Sequence, residues 1–246
     1  MSKCAAVILI FFSLIIGLGA AAAPASGEDS QAQMEKGRAA LQAGRSDEAI
    51  EIFSRLIETS PQAECFFQRG MAYGRKHTYA QAIRDFDKAV SMDPNQADYY
   101  LQRGILLRRN AEYESALRDL TKVLEIDPTN VASRRNRARA FFAMGDAAKA
   151  LDDVQSAIRA NPEISGLYGL RGDLYTATGH YENAVRDYDR AIQLKPDAVA
   201  AYNNRGIALA NLGKIREAVE DLNRAMEMAT SFSSVGHVPG TSGSAW

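Results

Sequence analysis

Cysteine and histidine are scarce in this chain, with two of the first and three of the second in 246 residues, and there is one tryptophan. Cys4 lies in an apolar N-terminal run, so loss of that run leaves Cys65 alone and excludes an intramolecular disulfide. A lone thiol on a helix is most often a small buried hydrophobe. His77 and His180 fall in turns of different segments and His237 lies near the C-terminus, with no shared set of thiols or carboxylates, so no metal site is expected. The chain has no P-loop, no G-x-S-x-G and no G-x-G-x-x-G. No cofactor is expected, and catalysis has no address. Charge of one sign is lacking too: 29 Lys and Arg balance 30 Asp and Glu, leaving a net charge of −1. That balance argues against wholesale attraction to nucleic acid or an anionic membrane. Any basic site must be local.

Only one long hydrophobic run is present. After Met-Ser-Lys, the stretch Ala5–Ala23 carries no charge, and Ala23-Pro24-Ala25 before Ser26 fits the A-x-A pattern of signal peptidase. Residues 1–25 are therefore expected to be a cleaved signal, exporting the protein, with the periplasm of a Gram-negative bacterium as the leading setting. The rival reading is an uncleaved membrane anchor, because the run has about the length that spans a bilayer.

What the chain has in abundance is repetition. Pro61, Pro94, Pro128, Pro162 and Pro196 recur every 33 or 34 residues. Ala49, Ala82, Ala116, Ala150, Ala184 and Ala218 keep the same rhythm, as do Gly37, Gly70, Gly104, Gly172 and Gly206, with Ala138 in the fourth place. Six units follow, near 30–62, 63–96, 97–130, 131–164, 165–198 and 199–230. One of them, "DYYLQRGILLRRNAEYESALRDLTKVLEIDP", reads as two amphipathic helices with a turn near Asn110–Glu112, and Leu117, Leu120, Val123 and Leu124 mark one apolar stripe. Each proline separates one pair from the next, since its missing N–H and its ring cannot continue the helical ladder. A single pair cannot bury its apolar face, whereas stacked pairs can. Residues 231–246, "SFSSVGHVPGTSGSAW", abandon the repeat and are expected to form a flexible tail in which Phe232, Val235, Val238 and Trp246 are apolar enough to dock weakly.

These landmarks resemble the tetratricopeptide repeat (TPR) over residues 30–230, with Phe66, Tyr100, Tyr168 and Tyr202 at the family's first-helix aromatic position. The resemblance implies an all-α, right-handed α-solenoid of antiparallel helix pairs. It also implies a concave face, lined by the first helix of each pair, that binds peptides or partner proteins.

The arginines divide into two sets. Arg69, Arg103, Arg137, Arg171 and Arg205 each precede the landmark Gly or Ala, and Asp85, Asp119, Asp153, Asp187 and Asp221 stand sixteen residues further on. Repeat one lacks both, having Lys36 and Ile52. Joint presence and absence predict a structural pairing of first and second helices, within or between repeats, and a planar guanidinium suits a bidentate carboxylate. Arg135 and Arg139 share one helix face, roughly 200° around from Arg137. By the resemblance that face is concave, and it carries Leu101, Ile105, Arg108 and Arg109 in repeat three and Phe67, Met71 and Arg75 in repeat two. Arg134 replaces the usual aromatic, and its orientation is open. The groove is thus expected to gather Arg75, Arg108, Arg109, Arg135 and Arg139.

Three readings of that cluster stand: a solvated basic face without a ligand, a site for an acidic segment of a protein, or a nucleic-acid site. The last is disfavoured by the local charge, the few interleaved aromatics and the expected export. A chaperone-type carboxylate clamp is not matched, because the pairs where it needs Lys and Asn read Met34/Arg38, Phe67/Met71, Leu101/Ile105, Gly169/Asp173 and Asn203/Ile207. The function expected is a non-enzymatic interaction scaffold. The alternative is a regulatory or substrate-recognition subunit of an exported envelope or cell-wall enzyme complex.

Overall fold

The computed structural model describes residues 27–235. The signal or anchor segment 1–25 and the end of the tail, 236–246, lie outside the described residues. Among the described residues the chain forms twelve helices in six antiparallel pairs. They are α1 (Gly27–Gln42), α2 (Ser46–Thr59), α3 (Ala63–Arg75), α4 (Tyr79–Met92), α5 (Ala97–Arg109), α6 (Tyr113–Ile126), α7 (Val131–Ala143), α8 (Ala147–Ala160), α9 (Ser165–Ala177), α10 (Tyr181–Leu194), α11 (Val199–Asn211) and α12 (Ile215–Val235). Each second helix packs on its own first helix and, in every pair but the last, on the first helix of the following pair, so the core runs as a continuous seam through the stack. No helix among the described residues is long and apolar enough to cross a membrane.

The turn inside each pair needs one residue in the left-handed region. Gly44, Gly145, Gly179 and Gly213 supply it in four repeats, while His77 and Ala111 adopt φ of 59° and 60° in the other two. Glycine takes this conformation without the Cβ penalty that the other two carry. In repeat three the Glu112 N–H reaches back to the Leu107 carbonyl at 2.9 Å and the Ala111 N–H donates to the Arg108 carbonyl at 3.1 Å, satisfying two carbonyls at the end of α5.

Close approach within each pair is set by a small residue on the first helix against a larger one on the second. A Cβ on Gly172 would stand 2.6 Å from Tyr188 Cε1, and one on Gly70 would stand 2.7 Å from Phe86 Cε1. Repeat four breaks the glycine pattern with the buried Ala138, and there the facing position holds Val154, smaller than the Phe, Leu or Tyr of the other repeats. The added methyl is matched by a smaller partner. Packing volume is thus conserved within the seam.

The last helix departs from the expected boundary. α12 has 21 residues where α10 has 14, and it continues through Val235 rather than yielding to a tail at residue 231. The physical reason is in the sequence: Thr230 stands where the other repeats place their proline, and nothing in "SFSSV" removes a backbone donor.

A basic groove beside a neutralised seam

The seam arginines all find their aspartates. Arg103 donates from Nε and Nη2 to the two Asp119 oxygens at 2.7 Å each, and Arg137 does the same to Asp153. Arg69–Asp85, Arg171–Asp187 and Arg205–Asp221 repeat the fork at 2.6–2.8 Å. The carboxylate belongs to the same repeat as its arginine, which answers the question of within or between. The third nitrogen then crosses to the preceding repeat: Arg69 Nη1 donates to Ser54 Oγ, Arg103 Nη1 to Asp87 and Arg137 Nη1 to Thr121 Oγ1. One side chain thereby fixes a helix pair internally and sets its register on the pair before it. Charge-assisted bonds to the carboxylates hold these guanidinium groups above their ordinary pKa, against the opposing effect of burial. The first-helix aromatics add a face: the guanidinium lies 5.8 Å over Phe66, 5.6 Å over Tyr100, 5.7 Å over Tyr168 and 5.4 Å over Tyr202. In repeat four Arg134 occupies the aromatic place. It turns toward the seam, donating to the Pro128 carbonyl at 2.9 Å and approaching Asp153 at 3.9 Å, while Arg137 lies over Phe141 instead.

The groove set behaves differently. Arg108 and Arg109 end α5, and Arg135 and Arg139 lie one turn apart on α7. Burial and the charges of Arg139, Arg109 and Arg135 push the Arg108 guanidinium below its ordinary pKa. Burial and the charges of Arg135 and Arg109 do the same to Arg139, with Asp173 opposing them. The four side chains are therefore in electrostatic reach of one another, on two adjacent first helices. Arg108 Nε and Arg135 Nε are buried without a hydrogen-bond partner. A buried polar atom left unpaired costs free energy, so the cluster is held in place by the fold despite its own chemistry.

Arg75 stands apart. It closes α3 and donates from Nη1 to the Leu41 carbonyl at the end of α1, so part of its donor capacity serves the framework. It also shares with Arg109 the rim of a cavity of about 290 Å³, whose walls include Met71, Gly74, Ile105 and Leu106. One of the apolar residues expected on the groove lies elsewhere. Leu101 is 7% exposed and belongs to the core, because α5 contacts α7 as well as its own second helix. Phe67 is half-buried and packs its ring 4.8 Å from that of Tyr99. Met71 and Ile105 do reach the cavity.

Beyond the arginines the groove becomes polar. Asp173 of α9 accepts from the Tyr188 hydroxyl at 2.9 Å and from Asn204 Nδ2 at 2.8 Å, tying α9, α10 and α11 together. Arg139, Gly169, Asp173 and Asn204 line a second cavity of about 190 Å³. No sequence spacing marks this triad, since its members come from three helices.

The tetratricopeptide repeat pattern matches residues 18–64, 67–131, 101–165, 135–184 and 199–232, and a further TPR pattern matches 172–213. The chain belongs to the tetratricopeptide-repeat family. Solved TPR structures superpose on it. A tetratricopeptide repeat protein from Parabacteroides merdae matches with a TM-score of 0.73 at 18% identity, covering 82% of this chain and 80% of that one. A crystal structure of MamA matches at 0.61 and 26% identity, covering 67% of this chain and 96% of that one. YrrB, described as a TPR protein with an unusual peptide-binding site, matches at 0.60 and 20% identity, covering 71% and 90%. In this TPR chain the first helices α5 and α7 carry the arginine cluster, between the apolar cavity and the Asp173 triad.

Proposed function

We propose that this protein is an interaction scaffold whose groove holds an acidic segment of a partner protein. Arg108, Arg109, Arg135 and Arg139 receive its carboxylates, and an apolar side chain of the segment fills the cavity beside Arg75 and Arg109. The observation that carries the reading is the gathering of like charges on α5 and α7, with Arg108 Nε and Arg135 Nε buried and unpaired. A carboxylate supplied in trans neutralises the repulsion and accepts charge-assisted bonds from the exposed Arg109 and Arg139. The peptide-binding site of YrrB supports the class of ligand but not its charge. The family's non-catalytic character, together with the lack of a catalytic motif, supports a binding role. Export, through cleavage near Ala23 or Ser26, belongs to the same reading, and N-terminal sequencing that returns Met1 or Ser2 from membrane-associated protein replaces it with the anchor.

The test uses a fluorescently labelled peptide of alternating Glu and Leu, with a Lys-and-Leu peptide as control. The acidic peptide should bind, and its affinity should fall as salt rises from about 0.05 to about 0.5 M, because the Debye length shortens to a few ångströms. The Arg135→Ala/Arg139→Ala variant should keep its helical content and lose at least about tenfold in affinity. Equal binding of both peptides, or affinity indifferent to salt and to the double substitution, leaves the cluster as a solvated basic face.

A further inference from the structure

The two ends of the solenoid differ. Exposed residues of α1 include Gln31, Ala32, Gln33, Glu35, Lys36 and Ala39, so the N-terminal end presents polar and small side chains. On α12, Ile215, Val219, Leu222 and Met226 are 60%, 49%, 39% and 60% exposed. Their spacing of four, three and four residues puts them in one stripe along the helix. Of the equivalent places in α8 and α10, Val154, Ile158 and Tyr188 are buried and Ala147, Leu151, Tyr181, Val185 and Ile192 half-buried, because α8 packs on α9 and α10 on α11. The stripe is thus the face that receives the next first helix in every other repeat, left open at the last. Repeat arrays require their terminal faces to be polar or covered.

We propose that a second copy of the chain covers this face, with α12 packing antiparallel on its counterpart across a two-fold axis near residues 220 and 221. Three observations select that occupant. An antiparallel pairing about that point sets Ile215 against Met226 and Val219 against Leu222, so the stripe is complementary to itself. The same pairing brings Arg216 to the flank of Glu227 of the other copy, which within its own chain holds Arg224 at 3.5 Å. A head-to-tail stack finds no large apolar counterpart, since the exposed face of α1 offers none, which favours the closed isologous contact. The contact is one helix face, below the roughly 800 Å² per partner of standard interfaces, so the dimer should be concentration-dependent.

Sedimentation velocity of the purified full chain, from about 1 to about 200 μM, reads the association. The mass should rise toward twice that of the monomer. Val219→Lys/Met226→Lys should remain monomeric with unchanged circular dichroism. Arg216→Glu should weaken association, and Arg216→Glu/Glu227→Arg should restore it. A mass that stays monomeric throughout overturns the proposal, and so does association that survives the double lysine variant. Association lost with Arg216→Glu yet not restored by the paired swap overturns the antiparallel register.

Discussion

The seam and the groove use the same side chain to opposite ends. In the seam each guanidinium is matched by a buried carboxylate, and the arrangement is neutral, repeated and closed. In the groove four guanidinium groups lean on one another, and Asp173, which opposes their effect on Arg139, is itself engaged by Tyr188 and Asn204. Arg135, Arg137 and Arg139 stand within five residues on α7, so composition does not separate the two roles. Helical phase does. A residue turned toward α8 meets the carboxylate presented there, and one turned away has none supplied by α8. The difference teaches what helical phase decides: the seam uses its charge to set register, and the groove charge is what the proposed partner site would draw on.

The sharpest way to break this comparison is to remove a seam carboxylate. Asp153 is 1% exposed and accepts both arms of Arg137. Asp153→Ala leaves a guanidinium facing the interior without its counter-charge and should cost about 3–5 kcal/mol in urea unfolding, typical for one member of a buried pair. A loss under about 1 kcal/mol would mean that the pair is effectively solvated and that seam and groove differ less than their geometry says.

The next effect is steric. On α9, Gly172 faces the seam, where a Cβ meets Tyr188 at 2.6 Å. Gly172→Ala should destabilise by about 1–3 kcal/mol, the range for overpacking a filled core. Tyr188→Val in the same chain should recover part of that loss, since repeat four already combines Ala138 with Val154. Failure to recover would show that volume alone does not govern the seam. It would also point to the bond from the Tyr188 hydroxyl to Asp173.

Much of this is legible in the sequence, for a physical reason. A repeated unit makes the same contact several times, so covariation across copies within one chain exposes a pairing that a single domain would hide. That is why Arg and Asp sixteen residues apart, absent together from repeat one, announce the seam. It is also why the Gly and Ala rhythm yields helix pairs with turns in the right places. Contacts made once leave no such trace. The bond from Arg75 to the Leu41 carbonyl, the Asp173 triad and the cavity at Gly74 depend on side chains that do not recur. Leu101 is misplaced by four-residue spacing, which finds a helix face but not its neighbours, and α5 touches α7 as well as α6. The extension of α12 follows from a missing proline at a position where its recurrence is the signal.

A smaller effect, of opposite sign, separates the two faces of α9. Gly169 lies on the groove side three residues before Gly172, and a Cβ there would meet no atom within 4 Å. Gly169→Ala should stabilise by about 0.5–1 kcal/mol, because the glycine costs backbone entropy inside a helix and relieves no clash. Thermal unfolding of the two alanine variants side by side reads the contrast directly. Equal destabilisation would mean that the groove wall at α9 is packed rather than open.

The smallest expected effect on stability is the one that distinguishes the arginines most clearly. Removing two charges from the seam should unfold the protein, whereas Arg135→Ala/Arg139→Ala should change its stability by less than about 0.5 kcal/mol. The sign should be favourable at low ionic strength. Arg139 feels the charges of Arg135 and Arg109, so the substitution removes repulsion that folding had to overcome. Salt at about 1 M screens that repulsion over about 3 Å, so the difference between variant and parent should vanish there. Urea unfolding at about 0.02 M and about 1 M salt measures both limits. A double variant that is less stable than the parent at low salt would show that these side chains hold the fold through their packing or an ion pair. The groove arginines would then be a second seam, with nothing reserved for a partner.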